Sequence, residues 1–168
     1  MQPVRRIVTG HDASGRAVVA SDEVLEGRTN PAGDVGFTQL WSTAVSPADN
    51  DDPADGRDRR PDSTRPGGSA LRIVELAPGA RTPMHRNVSL DFAMVLSGEA
   101  DLIDDVAVTR VEAGDIVVRR GTMHGWRNPS ADTPARIAVV LLDATPATVD
   151  GRAMIEILPG AVPTPNRN

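Results

Sequence analysis

The fold is decided by two stretches, GARTPMHRNVSLDFAMVLSG (residues 79–98) and GDIVVRRGTMHGWRN (residues 114–128). The chain has three histidines, and these stretches hold two of them, His85 and His124. In both stretches turn glycines separate short apolar runs, which is the pattern of strands joined by tight turns. Because a small β-barrel delivers side chains from separate strands into one cavity, we expect the two histidines to share one site.

Composition limits the class of protein. The chain has 168 residues, 15 glycines, 14 prolines and no cysteine, which suits one domain with many turns and no disulfide. No apolar run approaches the roughly twenty residues of a membrane-spanning helix, so we expect no membrane partner. No charged-then-apolar leader opens the sequence, which favours a cytoplasmic location.

Charge and missing residue types narrow the chemistry further. The net charge is −5, and the arginines are scattered along the chain, so we expect no nucleic-acid partner. The 18 basic side chains are all arginines, which excludes a lysine Schiff base. The sequence also lacks tyrosine, so no phenol serves as an acid.

The pattern along the chain predicts strands and no amphipathic helix. Residues 46–68 are rich in Pro, Asp, Arg and Gly and hold almost no large apolar side chain, which predicts a mobile surface loop, either a solvated insertion or a lid. The predicted strands are Val4–Thr9 and Arg16–Ser21 as a hairpin with His11 in its loop, Gly36–Thr43, Leu71–Leu76, Phe92–Leu96, Ala100–Ile103, Ala107–Val111, Ile116–Val118, Arg136–Leu142, and Ala153–Leu158 in the tail. Their spacing is typical of an all-β sandwich or barrel.

The glycine and histidine spacing resembles that of the cupin superfamily. Its first motif, G-x5-H-x-H-x3,4-E-x6-G, matches at Gly79, His85, Asn87, Asp91 and Gly98. Its second motif, G-x5-P-x-G-x2-H-x3-N, matches at Gly114, Gly121, His124 and Asn128. In this second stretch one residue is missing between the glycines, and arginine stands where proline is usual.

The resemblance implies a double-stranded β-helix, or jelly-roll barrel, with an N-terminal β-hairpin extension. It is firm over about residues 70–143. Residues 1–168 are then a single domain, with N-terminal strands in residues 1–45 and the mobile loop at 46–68. A homodimer is expected, because small cupins commonly pair and the hairpin is able to lend a strand to a neighbour's sheet.

The resemblance also implies a divalent metal, Fe, Mn, Ni or Zn, held by His85, Asp91 and His124. Asn87 replaces the usual second histidine, and Asp91 is one methylene shorter than the usual glutamate. Two imidazoles and one carboxylate form a facial set with open positions, and Asn87 adds an amide oxygen or a hydrogen bond to metal-bound water. The alternative is a metal-free cavity in which a histidine acts with Asp91 as acid or base.

Other residues are candidates for a substrate pocket. Trp126 lies two residues past His124, so strand alternation places it on the same side, as an aromatic wall or as core. Arg72 is predicted to face the cavity and to pair with an acidic substrate or with Glu75. Arg119 and Arg120 are adjacent, so one of them points inward.

Three functions fit this sequence. The first is an enzyme that acts on an oxygenated, hydrophobic small molecule by metal-assisted acid/base chemistry, of the lyase, dehydratase or isomerase type. The second is an Fe-dependent dioxygenase with the same residues. The third is a barrel without turnover, either a module that binds a small ligand or a structural dimer whose site has decayed. No helix pair suited to DNA is evident, which disfavours a transcription factor.

Overall fold

The computed structural model describes residues 1–59 and 66–159. Within these residues the chain forms strands and no helix, so the all-β prediction is confirmed. The strands are β1 (Val4–His11), β2 (Ala17–Leu25), β3 (Arg28–Thr29), β4 (Val35–Thr43), β5 (Ser69–Leu76), β6 (Ser89–Ser97), β7 (Glu99–Ile103), β8 (Val108–Glu112), β9 (Ile116–Arg120), β10 (Gly125–Arg127), β11 (Ala135–Asp143), β12 (Thr148–Val149) and β13 (Arg152–Ala153).

Two antiparallel sheets form the jelly-roll barrel. The larger has six strands in the order β3-β4-β5-β11-β6-β9, and the smaller has three in the order β10-β7-β8. Single β-bridges from Arg81 to Arg127 and from His85 to His124 place residues 81–85 beside β10, so this segment extends the smaller sheet. The core draws on both sheets, with Leu76 and Ile137 from the larger and Ala100 and Trp126 from the smaller.

Burial alternates strictly along strand β6 of the larger sheet. In β6 the odd-numbered residues from Ser89 to Val95 are buried, whereas Phe92 and Met94 between them are only half-buried. Phe92 and Met94 therefore lie on the outer face of this sheet. Successive side chains of β6 therefore point alternately to the cavity face and to the outer face of the sheet.

The glycines of the two motifs end strands in left-handed turns. Gly79, Gly98, Gly114 and Gly121 have φ of 73°, 71°, 100° and 65°, a region that side chains with a Cβ rarely adopt. At Gly98 a Cβ would also lie 2.5 Å from the carbonyl oxygen of Pro134. Backbone conformation thus explains why glycine stands at these positions, independently of any chemistry.

The N-terminal hairpin is confirmed, with longer strands than the sequence predicts. β1 and β2 pair from Val4–Leu25 to His11–Ala17, so His11 ends a strand and the prediction that it lies in the loop is wrong. The segment 46–68 contacts this hairpin in its described part. Its ion pairs join Asp55 to Arg6 and Arg57 to Glu23. Residues 60–65 lie outside the described residues, and the mobility of the segment stays a prediction.

The tail differs from its prediction. The proposed strand Ala153–Leu158 is wrong beyond its first residue, because only Arg152–Ala153 is a strand, paired with β12. The chain then reaches the barrel through a bridge between Ile157 and Arg86. This pairing depends on contacts with distant residues, which the local pattern does not encode. Among the described residues no helix is long and apolar enough to cross a membrane.

Candidate functional site

His85 and His124 are cross-strand partners. Each backbone N–H donates to the other's carbonyl oxygen at 2.9 Å, which is the hydrogen-bonded pair of an antiparallel ladder. Partners of this kind project their side chains from the same face, and the ring centroids lie 4.2 Å apart. The structure therefore brings the two histidines together as the sequence predicts, while their chemical roles stay predictions.

Local hydrogen bonds set the tautomer of both rings. The Nδ1 atoms of His85 and His124 lie 3.0 Å from the carbonyl oxygens of Pro83 and Thr122. A carbonyl oxygen only accepts, so each Nδ1 carries the hydrogen. In the neutral ring the lone pair is then on Nε2, which is the atom able to take a proton or bind a metal.

Both rings are neutral near pH 7. Burial lowers the pKa of His124 to about 3, helped by the positive charge of Arg119 and the neighbouring His85. Burial also lowers the pKa of His85, and the charges of Arg119 and Arg72 act in the same direction. Its hydrogen bond to Pro83 and the charge of Asp91 oppose this shift only in part. Each Nε2 is therefore unprotonated at neutral pH.

Asp91 lies on the inner face of the larger sheet, but its carboxylate is engaged. Asp91 is the cross-strand partner of Arg119, whose Nη2 lies 2.8 Å from its Oδ2. The hydroxyl of Ser89 donates to its Oδ1 at 2.5 Å. Asp91 is 2% exposed and Arg119 is 5% exposed, so this is a buried ion pair.

These side chains do not fit the predicted three-ligand metal site. Both oxygens of Asp91 already have partners. The remaining candidate metal ligands are the two imidazoles and the amide oxygen of Asn87, which is a weak ligand. The guanidiniums that lower the pKa of His85 also oppose a divalent cation beside it. Within residues 1–59 and 66–159 no group of three His, Asp or Glu side chains is arranged to hold a metal ion. Metal binding stays a prediction that this arrangement does not support.

A cavity of about 450 Å³ opens beside the histidine pair. Its polar lining includes Arg72, His85, Asn87 and Arg119. Its apolar lining is Val35, Phe37, Val74, Pro83, Trp126, Val139, Leu141 and Pro159. The described lining does not include Asp91 or His124, so His85 is the imidazole that a ligand meets first. The volume suits a small organic molecule.

The predicted pocket residues both line this cavity. Trp126 is 4% exposed and belongs to the core as well as to the cavity wall, so both interpretations of this residue hold. Arg72 faces the cavity as expected. The ion pairs of Glu75 join it to Arg136 and to the amino terminus.

Arg119 is the important residue that the sequence left ambiguous. It points inward while Arg120 is exposed, and its guanidinium carbon lies 5.8 Å from the centroid of the Trp126 ring. Its Nε and Nη1 are buried without a hydrogen-bond partner in the described structure. The register that pairs Arg119 with Asp91 is a tertiary feature, so the adjacent arginines alone could not identify it.

Comparison with known proteins establishes the family. The profile of the Cupin domain family matches residues 72–141. The chain is 36% identical to phomopsin biosynthesis cluster protein C' of Diaporthe leptostromiformis, over 89% of this chain and 83% of that protein. It is 34% identical to the cupin-domain-containing oxidoreductase fogC of Aspergillus ruber, over 90% of this chain and 78% of that protein.

A solved structure supports the same fold. The cupin domain of Schizosaccharomyces pombe Cnp3 superposes with a TM-score of 0.52, covering 83% of this chain and 87% of that one, at 11% identity. At this identity the similarity concerns the fold alone. The barrel with its paired histidines defines a small cupin, and the chain belongs to the cupin superfamily.

Proposed function

We propose that this cupin is an enzyme that moves a proton on an oxygenated, hydrophobic small molecule, with His85 as the acid/base group. The observation that carries the proposal is the neutral imidazole of His85 at the wall of a largely apolar cavity. Its Nδ1–H is held by Pro83, so the ring is oriented before a ligand arrives. Proton transfer of this kind by a positioned side chain is a common step of isomerase, lyase and dehydratase reactions.

The proposed step balances without a further reactant. The lone pair of His85 Nε2 takes a proton from the carbon next to a carbonyl group, and the electrons of the C–H bond move onto the carbonyl oxygen. The products of the step are an enolate and an imidazolium. The imidazolium then returns the proton to another carbon or to a leaving group. His124, packed against His85, holds the ring in place.

A metal-dependent oxidoreductase is the second candidate. The observation in its favour is that several curated relatives carry the name cupin-domain-containing oxidoreductase. Among them are fogC of Aspergillus ruber and srdB of Neurospora crassa. An Fe-dependent dioxygenase is one form of this candidate. It requires a third ligand beside His85 and His124, and Asn87 lines the same cavity. Metal analysis of the purified protein separates the two candidates.

Solvent deuterium exchange tests the proposed function directly. We expect the enzyme to catalyse exchange at the carbons next to the carbonyl of 2-tetralone, a bicyclic hydrophobic ketone, in D2O with EDTA present. His85→Gln is expected to reduce this rate by about 100-fold or more, since general bases typically contribute that much. Mass spectrometry of the ketone gives the rate.

The matched control is His11→Gln, which changes an exposed histidine of the hairpin and is expected to keep the wild-type rate. Equal rates in wild type and His85→Gln would refute the role of His85. Stoichiometric metal, lost in both His85→Gln and His124→Gln, together with exchange that EDTA abolishes, would show that a metal takes part in the proton transfer. Metal-dependent consumption of O2 would favour the oxidoreductase candidate instead.

We also propose that the protein is a homodimer. On the outer face of the larger sheet Ile116 and Val118 are 65% and 55% exposed. Met94 and Phe92 are their cross-strand partners, so these four side chains form one apolar patch, a feature typical of interaction surfaces. In the described residues the hairpin β1-β2 is a separate two-stranded sheet, whose edges are available to a neighbour.

A charge in this patch is expected to separate the subunits. Val118→Glu should convert a dimer to a monomer at micromolar concentration, because two buried carboxylates would face each other across the symmetric contact. Light scattering after size exclusion measures the mass. Val106→Glu is the control, since Val106 is 94% exposed on the turn between β7 and β8. A monomeric wild type would contradict the proposal.

A further inference from the structure

Arg119 is an unusual group to find in a barrel wall. Its guanidinium is buried and carries a full charge, yet among residues 1–59 and 66–159 only Nη2 has a partner, the carboxylate of Asp91. Nε and Nη1 have none within the described structure. Leaving N–H groups of a charged side chain unpaired away from water is costly, so native proteins rarely do so without a reason. A ligand that supplies the missing acceptor is such a reason.

The charge around the cavity points to the kind of acceptor. Two guanidiniums, of Arg72 and Arg119, line it, and the charge of Asp91 acts on both. The cavity wall therefore holds the positive charge of two guanidiniums. A low-dielectric wall strengthens the attraction of this charge for an anion.

We infer that the ligand of this cavity is an organic acid, whose carboxylate accepts hydrogen bonds from Arg119 while its flat hydrophobic body packs against Trp126. This inference rests on the proposed function for the site and names its substrate class. Guanidinium groups bind carboxylates with directional, charge-assisted hydrogen bonds. Val74, Val139 and Leu141 line the rest of the cavity and suit the apolar body.

Calorimetric titration with a matched pair of probes tests the inference. The probes are trans-cinnamate and trans-cinnamamide, which share one planar body and differ in charge. We expect wild type to bind cinnamate at least 10-fold more tightly than cinnamamide. In Arg119→Met this preference is expected to disappear. In Arg120→Met, which changes the exposed neighbour on the same strand, it should persist.

Arg119→Met leaves Asp91 buried without its partner, so loss of binding in this variant could also come from misfolding. A second variant separates the two causes. The double variant Asp91→Asn/Arg119→Gln removes both charges but keeps hydrogen-bonding side chains. It too should lose the preference for cinnamate, in a protein whose thermal melt shows that it is folded. Persistence of the preference in this folded variant would overturn the inference.

The outcomes also separate this inference from the proposed function. Equal or tighter binding of cinnamamide by wild type would overturn the organic-acid inference, yet leave a cavity for neutral hydrophobic molecules as proposed. Binding of neither probe would overturn the inference, and a lack of 2-tetralone exchange would then count against the proposed function as well. Exchange of 2-tetralone without cinnamate binding would refute the inference alone.

Discussion

Asp91→Ala is expected to destabilise the protein by about 3–5 kcal/mol at pH 7. The substitution removes the only described partner of a guanidinium that is 5% exposed. Arg119 then stays charged in a region of low dielectric, because arginine does not give up its proton in proteins. The lost hydrogen bond from Ser89 adds to the cost. Chemical denaturation followed by tryptophan fluorescence measures the free energy of unfolding.

Two further variants show whether the uncompensated charge is the cause. Asp91→Leu/Arg119→Met replaces the ion pair by apolar side chains and is expected to recover most of the lost stability. Asp22→Ala breaks the exposed ion pair with Arg5 on the hairpin and should have little effect, since solvent screens such pairs. If Asp91→Ala is no more destabilising than Asp22→Ala, the ion pair of Asp91 and Arg119 does not form as described.

The sequence predicts the barrel well because its signals are local. The glycines that end strands have positive φ, so the backbone itself requires them, and the runs between them alternate as strands do. The convergence of His85 and His124 was predictable for a related reason. Each lies at a fixed distance from such a turn, and the barrel places the two segments side by side.

The partners of Asp91 were not predictable from the same signals. Whether Asp91 meets a metal or an arginine depends on the register of β6 against β9, and a slip of one residue would bring Arg120 rather than Arg119 to the inner face. The second motif is also one residue short between its glycines. Sequence spacing therefore identified the carboxylate but not the arginine that pairs with it.

The contacts of the segment 46–68 are a second feature that the sequence did not predict. Its composition offers little apolar surface, which is why a mobile loop was the natural expectation. In the described part, Asp55 pairs with the buried Arg6, and Gly56 lies against the ring of Trp41. Such contacts join residues far apart in the chain, and composition alone does not reveal them.

Acidification is expected to destabilise the protein already at pH values well above those at which its carboxylates take up protons. The pKa of His124 is about 3 in the folded state and near 6.5 as an unperturbed side chain. Between these values the unfolded chain binds a proton that the folded protein does not. Stability from this group is therefore complete above pH 6.5 and falls as the pH drops below it. From pH 7 to pH 4.5 the expected loss is about 3 kcal/mol, at about 1.4 kcal/mol per pH unit below 6.5.

His124→Gln isolates this contribution. The variant starts from lower stability at pH 7, but its free energy of unfolding should change by about 3 kcal/mol less than that of wild type over the same range. The carboxylates lose their contribution to stability only at lower pH. The pKa of Asp55, for example, is lowered to about 2 chiefly by its hydrogen bond to Arg6, so this group stabilises the fold until the pH approaches 4. A parallel pH dependence in wild type and His124→Gln, measured by urea denaturation at each pH, would show that His124 is not a buried neutral imidazole.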